Sequence, residues 1–327
     1  MTRARDLGIV VGERPAGPHN AITDVDGVRV GHTTLVDGDS IRTGITAVVP
    51  PRLPCPAGLF VGNGYGKMVG TTQVTELGEI ETPVLLTATL STFRVADALV
   101  TWMLRDPGRT SVNPVVAETN DGYLSDIRAR PITEEHVLAA LDGAAGGAPL
   151  EGAVGAGTGT GALGFKGGIG TASRVVGPYT VGVIVQSNFS GVLRVLGVPV
   201  PPSSVGVPPP PAHPGNSCVI VVATDGPFDA RQLGRIARRA IFAMDRAGSD
   251  FAGGSGDYAL AFSTSEGRAP ESAVEPAFAG VLEAVEEALL NSLIAAPTTV
   301  GFQGHIRYGL PHDRLLQRLR DHGVSLL

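Results

Sequence analysis

Where an apolar strand begins, the chain carries Asn216-Ser217-Cys218, the most chemically suggestive tripeptide in the sequence. A serine hydroxyl beside its own preceding carbonyl can attack it through a five-membered ring. The peptide becomes an ester, and water then releases a new N-terminal serine. That product has a hydroxyl nucleophile and, on the same residue, an α-amine whose ordinary pKa of roughly 7.7–8 suits a base near neutrality. No histidine is required, and the seven histidines lie far apart without a triad signature. Asn and Ser are also ordinary turn formers, so the tripeptide alone reads first as a turn before a strand. Cys218 is the rival nucleophile, but at the head of an apolar strand it reads as a small buried hydrophobe.

Other stretches offer partners for such a serine. In Gly253-Gly-Ser-Gly-Asp-Tyr258, Ser255 and Asp257 point the same way if the chain is extended, and could form a relay that orients a nucleophile or its amine. Asn188 ends the apolar run before Phe189, where a side-chain amide can supply an oxyanion donor or simply cap a turn. Ala117-Glu-Thr-Asn-Asp-Gly-Tyr123 puts Glu118 where a carboxylate could face a substrate ammonium; an Asn-Asp-Gly turn is the plainer reading.

The glycine-rich run 155–170 includes Gly159-Thr-Gly-Ala-Leu-Gly164, a literal GxGxxG. A dinucleotide site needs a helix after that motif and an acid about 20 residues onward, and neither is present. A P-loop fails because Gly167, not Ser or Thr, follows Lys166. Tight turns and close backbone packing account better for these glycines.

Strands are expected at Ile45–Val49, Leu59–Val61, Val84–Leu86, Thr180–Val185, Cys218–Ala223 and Tyr258–Phe262. Helical periodicity runs over Ser91–Leu104, Glu134–Leu141, Phe228–Ala247 and Val274–Ala295, with Asp225 and Pro227 as start signals and Gly248 as a stop for the third. Apolar strands and amphipathic helices are mixed, so the architecture should be layered α and β. Gly197–Asn216 holds eight of the 25 prolines and should be an extended surface segment, ending at His213-Pro-Gly-Asn-Ser-Cys218.

Composition excludes several partners. Net charge is −6, charged residues are 17% and aromatics 5%, with no basic run to follow a phosphate backbone. Nucleic acid is therefore not expected. No apolar stretch is long enough to span a membrane, and the N-terminal apolar patch is too short for a secretory signal. Two cysteines and scattered histidines give no metal signature, so neither metal nor cofactor is expected. A soluble cytoplasmic protein is the expectation.

Taken in order, these stretches resemble the L-aminopeptidase/D-esterase and β-aminopeptidase family over essentially the whole chain. The resemblance rests on Asn20-Ala-Ile-Thr-Asp-Val-Asp-Gly-Val-Arg-Val-Gly-His32, Arg42-Thr-Gly-Ile-Thr46, Glu118-Thr-Asn-Asp-Gly-Tyr-Leu124, the glycine-rich run, Asn216-Ser217 and Ser255-Gly-Asp257. It implies an α/β fold, a four-layer αββα sandwich laid out like N-terminal-nucleophile hydrolases but with distinct connectivity. It implies a single domain, 1–327, that cleaves itself into an α-chain 1–216 and a β-chain 217–327. Ser217 matches the nucleophile, Asn188 an oxyanion-hole amide, and Ser255 and Asp257 the pair that organises the nucleophile. Glu118 matches the carboxylate that takes the substrate's amine, with Tyr123 in the same pocket. The implied activity is removal of N-terminal residues from short peptides, amides or esters with a free amine, by an oligomer of αβ units. Acyl transfer or hydrolysis of ω-amino-acid oligomers is the alternative on the same fold. Asp257 stands where the family often has Glu, Ala88 where Asn is expected, and Asn63-Gly-Tyr-Gly-Lys67 is non-standard.

Overall fold

A computed structural model describes residues 1–209 and 216–326. Two sheets stack face to face, each covered on its outer side by helices. The five-stranded sheet has the order Arg29–Asp37, Ile41–Val49, Val84–Ala88, Val115–Thr119 and Met68–Val69. The six-stranded sheet has the order Ile169–Val176, Tyr179–Asn188, Asn216–Thr224, Ser255–Ser263, Cys55–Gly64 and Glu79–Ile80. The helices Thr92–Met103 and Glu134–Asp142 cover the first sheet; Ala230–Ala247 and Glu271–Ile294 cover the second. The four-layer αββα expectation is met.

Side-chain alternation along the strands separates three cores. In Asn216–Thr224, Cys218, Ile220 and Val222 pack toward the helices, while Val219, Val221 and Ala223 pack between the sheets. In the first sheet, Leu85 and Val116 face the helices while Val84, Leu86, Val115 and Ala117 face inward. A strand buried on both faces reads as continuous apolar sequence, so which residue faces which layer emerges only from packing.

The six expected strands form, most with longer limits, and the four expected helices form within a few residues of their limits. The third helix starts later than expected. Its N-cap is Asp229, whose carboxylate accepts from the Gln232 N–H at 2.8 Å, so Asp225 and Pro227 lie ahead of it. Gly248 stops it at φ 103°. Within Gly197–Asn216 the expected surface segment is corrected in part: Val200, Val205 and Val207 are buried, and 202–205 is a 3-10 turn. Branched side chains between the prolines find core contacts there. The rest of the proline run and His213-Pro-Gly lie outside the described residues.

Candidate active site

Three neighbouring strands bring five of the expected residues to one end of the six-stranded sheet. Ser217 pairs with Asn188 on one side and with Gly256 on the other; Asn216 lies opposite Ser255, and Cys218 opposite Asp257. Ser217 is buried, and its Oγ donates to the carbonyl oxygen of Asn216 at 2.5 Å. The hydroxyl therefore rests against the peptide unit it would attack. The Asn216 side chain is held by its Nδ2, which donates to Ser190 Oγ at 2.8 Å; that hydroxyl donates to Asp250 at 2.7 Å.

Asn188 and Ser217 share the inter-sheet face, because Asn188 keeps the parity of Ile184 and Ser217 that of Val219 and Val221. Asn188 Oδ1 accepts from the Gly161 N–H at 3.0 Å, which makes its NH2 the donor end of the amide. One step deeper, Gln186 bridges the sheets, donating to Thr87 O at 3.1 Å, Thr119 Oγ1 at 2.8 Å and Ala156 O at 2.9 Å.

Ser255 and Asp257 form the expected pair: Ser255 Oγ donates to Asp257 Oδ1 at 2.7 Å. They have the parity of Ala259 and Ala261, on the helix side of the sheet, opposite to Ser217 Oγ. The pair thus does not meet the hydroxyl. It lies beside the Cys218 backbone instead, the residue paired with Asp257, and the Cys218 N–H helps lower the carboxyl pKa. Asn63 Nδ2 donates to Asp257 Oδ2 at 3.2 Å, from a strand that bulges opposite Asp257 and Tyr258. Burial raises the Asp257 pKa, and these three donors oppose the rise. Cys218 is fully buried, and burial followed by the charge of Asp257 raises its thiol well above the ordinary value, so it is no competing nucleophile.

Glu118 and Tyr123 sit on the other sheet and the loop after it, with no direct hydrogen bond to Ser217 among the described residues. Glu118 is buried at the end of its strand. Its Oε1 accepts from the Lys67 N–H at 2.9 Å and lies 3.5 Å from Lys67 Nζ, which itself donates to Thr89 Oγ1 at 2.7 Å. Glu118 Oε2 is buried and has no hydrogen-bond partner among the described residues. The charge of Glu118 helps burial raise the Tyr258 phenol, which faces the inter-sheet space. Tyr123 stacks on His305 at 4.4 Å, and the Arg307 guanidinium lies over its ring at 4.3 Å.

Two further buried ionisable side chains, Asp121 and Lys166, stand outside the expected site residues. Asp121 is buried, and burial pushes its carboxyl up to about 7; Thr43 and its own N–H lower it only partly, and neither makes a well-formed hydrogen bond to it. Lys166 is fully buried, and burial pushes it down to about 7 against the attraction of Asp121. Its Nζ donates to Gly157 O at 2.9 Å and Gly167 O at 2.6 Å, clamping the glycine-rich loop that holds Asn188 through Gly161. Lys166 fails as a phosphate ligand by spacing, yet acts as an internal clamp.

Against known proteins, the model of peptidase family S58 matches residues 20–307. The chain belongs to peptidase family S58. It is 40% identical to the β-peptidyl aminopeptidase BapA of Sphingosinicella microcystinivorans, over 96% of this chain and 90% of that protein. A Burkholderia sp. β-aminopeptidase structure superposes with TM-score 0.93 at 40% identity, covering 99% of this chain and 100% of the other. The L-aminopeptidase D-Ala-esterase/amidase of Ochrobactrum anthropi, described as a new variant among the Ntn hydrolase fold, superposes with TM-score 0.91 at 35% identity and full coverage of both chains. The S58 chain described here shares that variant of the fold. No helix among its described residues is long and apolar enough to cross a membrane.

Proposed function

We propose that this S58 peptidase is a self-processing serine aminopeptidase that acts through Ser217. In processing, Ser217 Oγ attacks the Asn216 carbonyl carbon, the C–N bond breaks, and the peptide becomes an ester. Water then hydrolyses the ester, leaving Asn216 as a carboxylate at the end of 1–216 and a free amine on Ser217 at the start of 217–327. The carrying observation is the contact of Ser217 Oγ with the Asn216 carbonyl, with Asn188 opposite it in register.

In turnover, Ser217 Oγ attacks the carbonyl that follows the substrate's N-terminal residue, and the α-amine of Ser217 accepts the proton. The NH2 of Asn188 stabilises the oxyanion. The amine passes its proton to the leaving group, and water releases the acyl-enzyme. Ser255 and Asp257 act on the amine rather than on the hydroxyl, because the carboxylate lies on the side of the sheet opposite the hydroxyl and beside the backbone of Cys218, one residue from the amine. Glu118 takes the substrate ammonium at Oε2 while Lys67 occupies Oε1, and Tyr123 lines the same pocket. Substrates are short peptides, amides or esters with a free N-terminal amine.

We further infer a cytoplasmic oligomer of αβ units. Two buried free cysteines fit a reducing compartment, and Phe93 and Tyr65, 69% and 76% exposed, fit a surface that other subunits cover.

Electrophoresis of purified wild type should show fragments 1–216 and 217–327, with Ser217 as the first residue of the smaller. Ser217→Ala should remain one chain and lose aminopeptidase activity by at least about a thousandfold. An uncleaved, fully active wild type would refute self-processing.

A further inference from the structure

Beside Tyr123 lies a cavity of about 250 Å³ lined by Gly164, His305, Arg307, Tyr308 and Pro208. The guanidinium of Arg307 is its one strong charge, and it makes no hydrogen bond or ion pair with any described residue; its Nε is buried and unpartnered. It packs on the Tyr123 ring, and its positive charge helps burial lower the pKa of Lys166. A half-buried guanidinium with no acidic partner is costly unless an anion completes the site. Planar carboxylates are the anions that a guanidinium fork grips best.

The cavity also lies next to the proposed oxyanion donor. Arg307 Nε is 2.8 Å from where a Cβ on Gly161 would stand, so only a glycine leaves room for it. The same Gly161 donates its N–H to Asn188 at 3.0 Å. In a dipeptide, the C-terminal carboxyl carbon is three bonds from the scissile carbonyl carbon, so a carboxylate on the leaving residue falls close to the oxyanion.

We propose that Arg307 receives the C-terminal carboxylate of the leaving residue, so that dipeptide-sized substrates with both ends free are preferred. This rests on the aminopeptidase reading above, with Glu118 for the ammonium end and Arg307 for the carboxylate end. A dipeptide and its C-terminal amide separate the contributions, because they differ only in that charge.

The test measures kcat/KM for both substrates with the processed enzyme. Wild type should favour the free acid by about ten- to a hundredfold, the usual range for a charged hydrogen-bonded contact. Arg307→Gln should bring the ratio near one, chiefly by raising KM for the acid, and Arg307→Lys should restore part of it. A wild-type ratio near one, or a ratio unchanged in R307Q, overturns the proposal. If R307Q does not fold, the wild-type ratio and R307K decide on their own. Hydrolysis of neither substrate removes the aminopeptidase reading and this proposal with it; equal hydrolysis of both removes only this one.

Discussion

Two clusters of buried charge differ in how completely they are bonded. Behind the six-stranded sheet, Arg174 donates to Glu283 at 3.1 Å, Glu287 at 2.6 Å, and the carbonyls of Ser173 and Val11 at 2.7 Å. Glu287 also accepts from Arg5 at 2.8 Å and from Asn20, and Glu283 from Arg14 Nη1 at 2.7 Å. Burial pushes both glutamates up, but these donors prevail and leave their pKa values lowered. This cluster ties the N-terminal segment to the Glu271–Ile294 helix and the Ile169–Val176 strand. Around Glu118 and Asp121, by contrast, one oxygen of the first and both of the second have no partner among the described residues. Fully bonded buried charge holds a structure together; buried charge with oxygens left over waits for a ligand or proton.

The largest effect should come from breaking the bonded cluster. Arg174→Met leaves Glu283 and Glu287 facing each other without their shared cation, and should cost about 3–5 kcal/mol in urea denaturation. Activity per folded molecule should persist. A cost below about 1 kcal/mol would erase the contrast between the clusters. Glu118→Gln should do the reverse: stability moves by under about 1 kcal/mol, while kcat/KM on a free-amine ester falls about a hundredfold. Equal loss on an N-acetylated ester would deny Glu118 its role at the amine.

His32 supplies a pH-dependent version of the same contrast. Burial lowers its pKa to about 4, with the Leu150 backbone opposing weakly, while Nδ1 lies 2.9 Å from Thr46 Oγ1. A lowered folded pKa means that its contribution is complete above the unfolded value near 6.5 and is lost as pH falls toward 4. Between pH 7 and 4.5, wild type should lose about 2 kcal/mol more than His32→Gln in parallel denaturation curves. Smallest of all is the exposed pair of Arg105 and Asp142, 2.9 Å apart. Arg105→Ala should cost under about 1 kcal/mol, and less still in high salt.

The layers, and the polar residues gathered at one end of the six-stranded sheet, were legible because they follow from short-range chemistry. Ser217, Asn188 and the Ser255–Asp257 pair all sit at strand ends, where a polar residue beside an apolar run is visible without a structure. The face each occupies was not legible. Cys218–Ala223 is apolar at every position, so alternation leaves no mark in the sequence, and the parting of Ser217 from Asp257 to opposite sides depends on which layer packs where. Asp121 looked like a turn residue, and Asn120 does cap that turn through the Gly122 N–H, but its burial comes from distant segments. The roles of Lys166 and Arg307 leave no mark in the sequence, since clamping carbonyls or filling a cavity sets no fixed spacing. The strand Ile169–Val176 is masked in the sequence by the glycine run before it, and the helix His312–Asp321 by its short length and the proline ahead of it.

The strand order has a further consequence. Asn216–Thr224 and Ser255–Ser263 are the two innermost strands of the six-stranded sheet, and both their outer neighbours, Tyr179–Asn188 and Cys55–Gly64, lie before the proposed cut. Cutting before Ser217 would thus leave two polypeptides interleaved, each unable to leave without unzipping both flanks of the other. The intact chain would fold by a concentration-independent route, whereas the cut pair, once unfolded, would have to find each other again. The mature enzyme's endurance would then be set by how slowly the pair comes apart rather than by equilibrium, and heat inactivation would be effectively one-way.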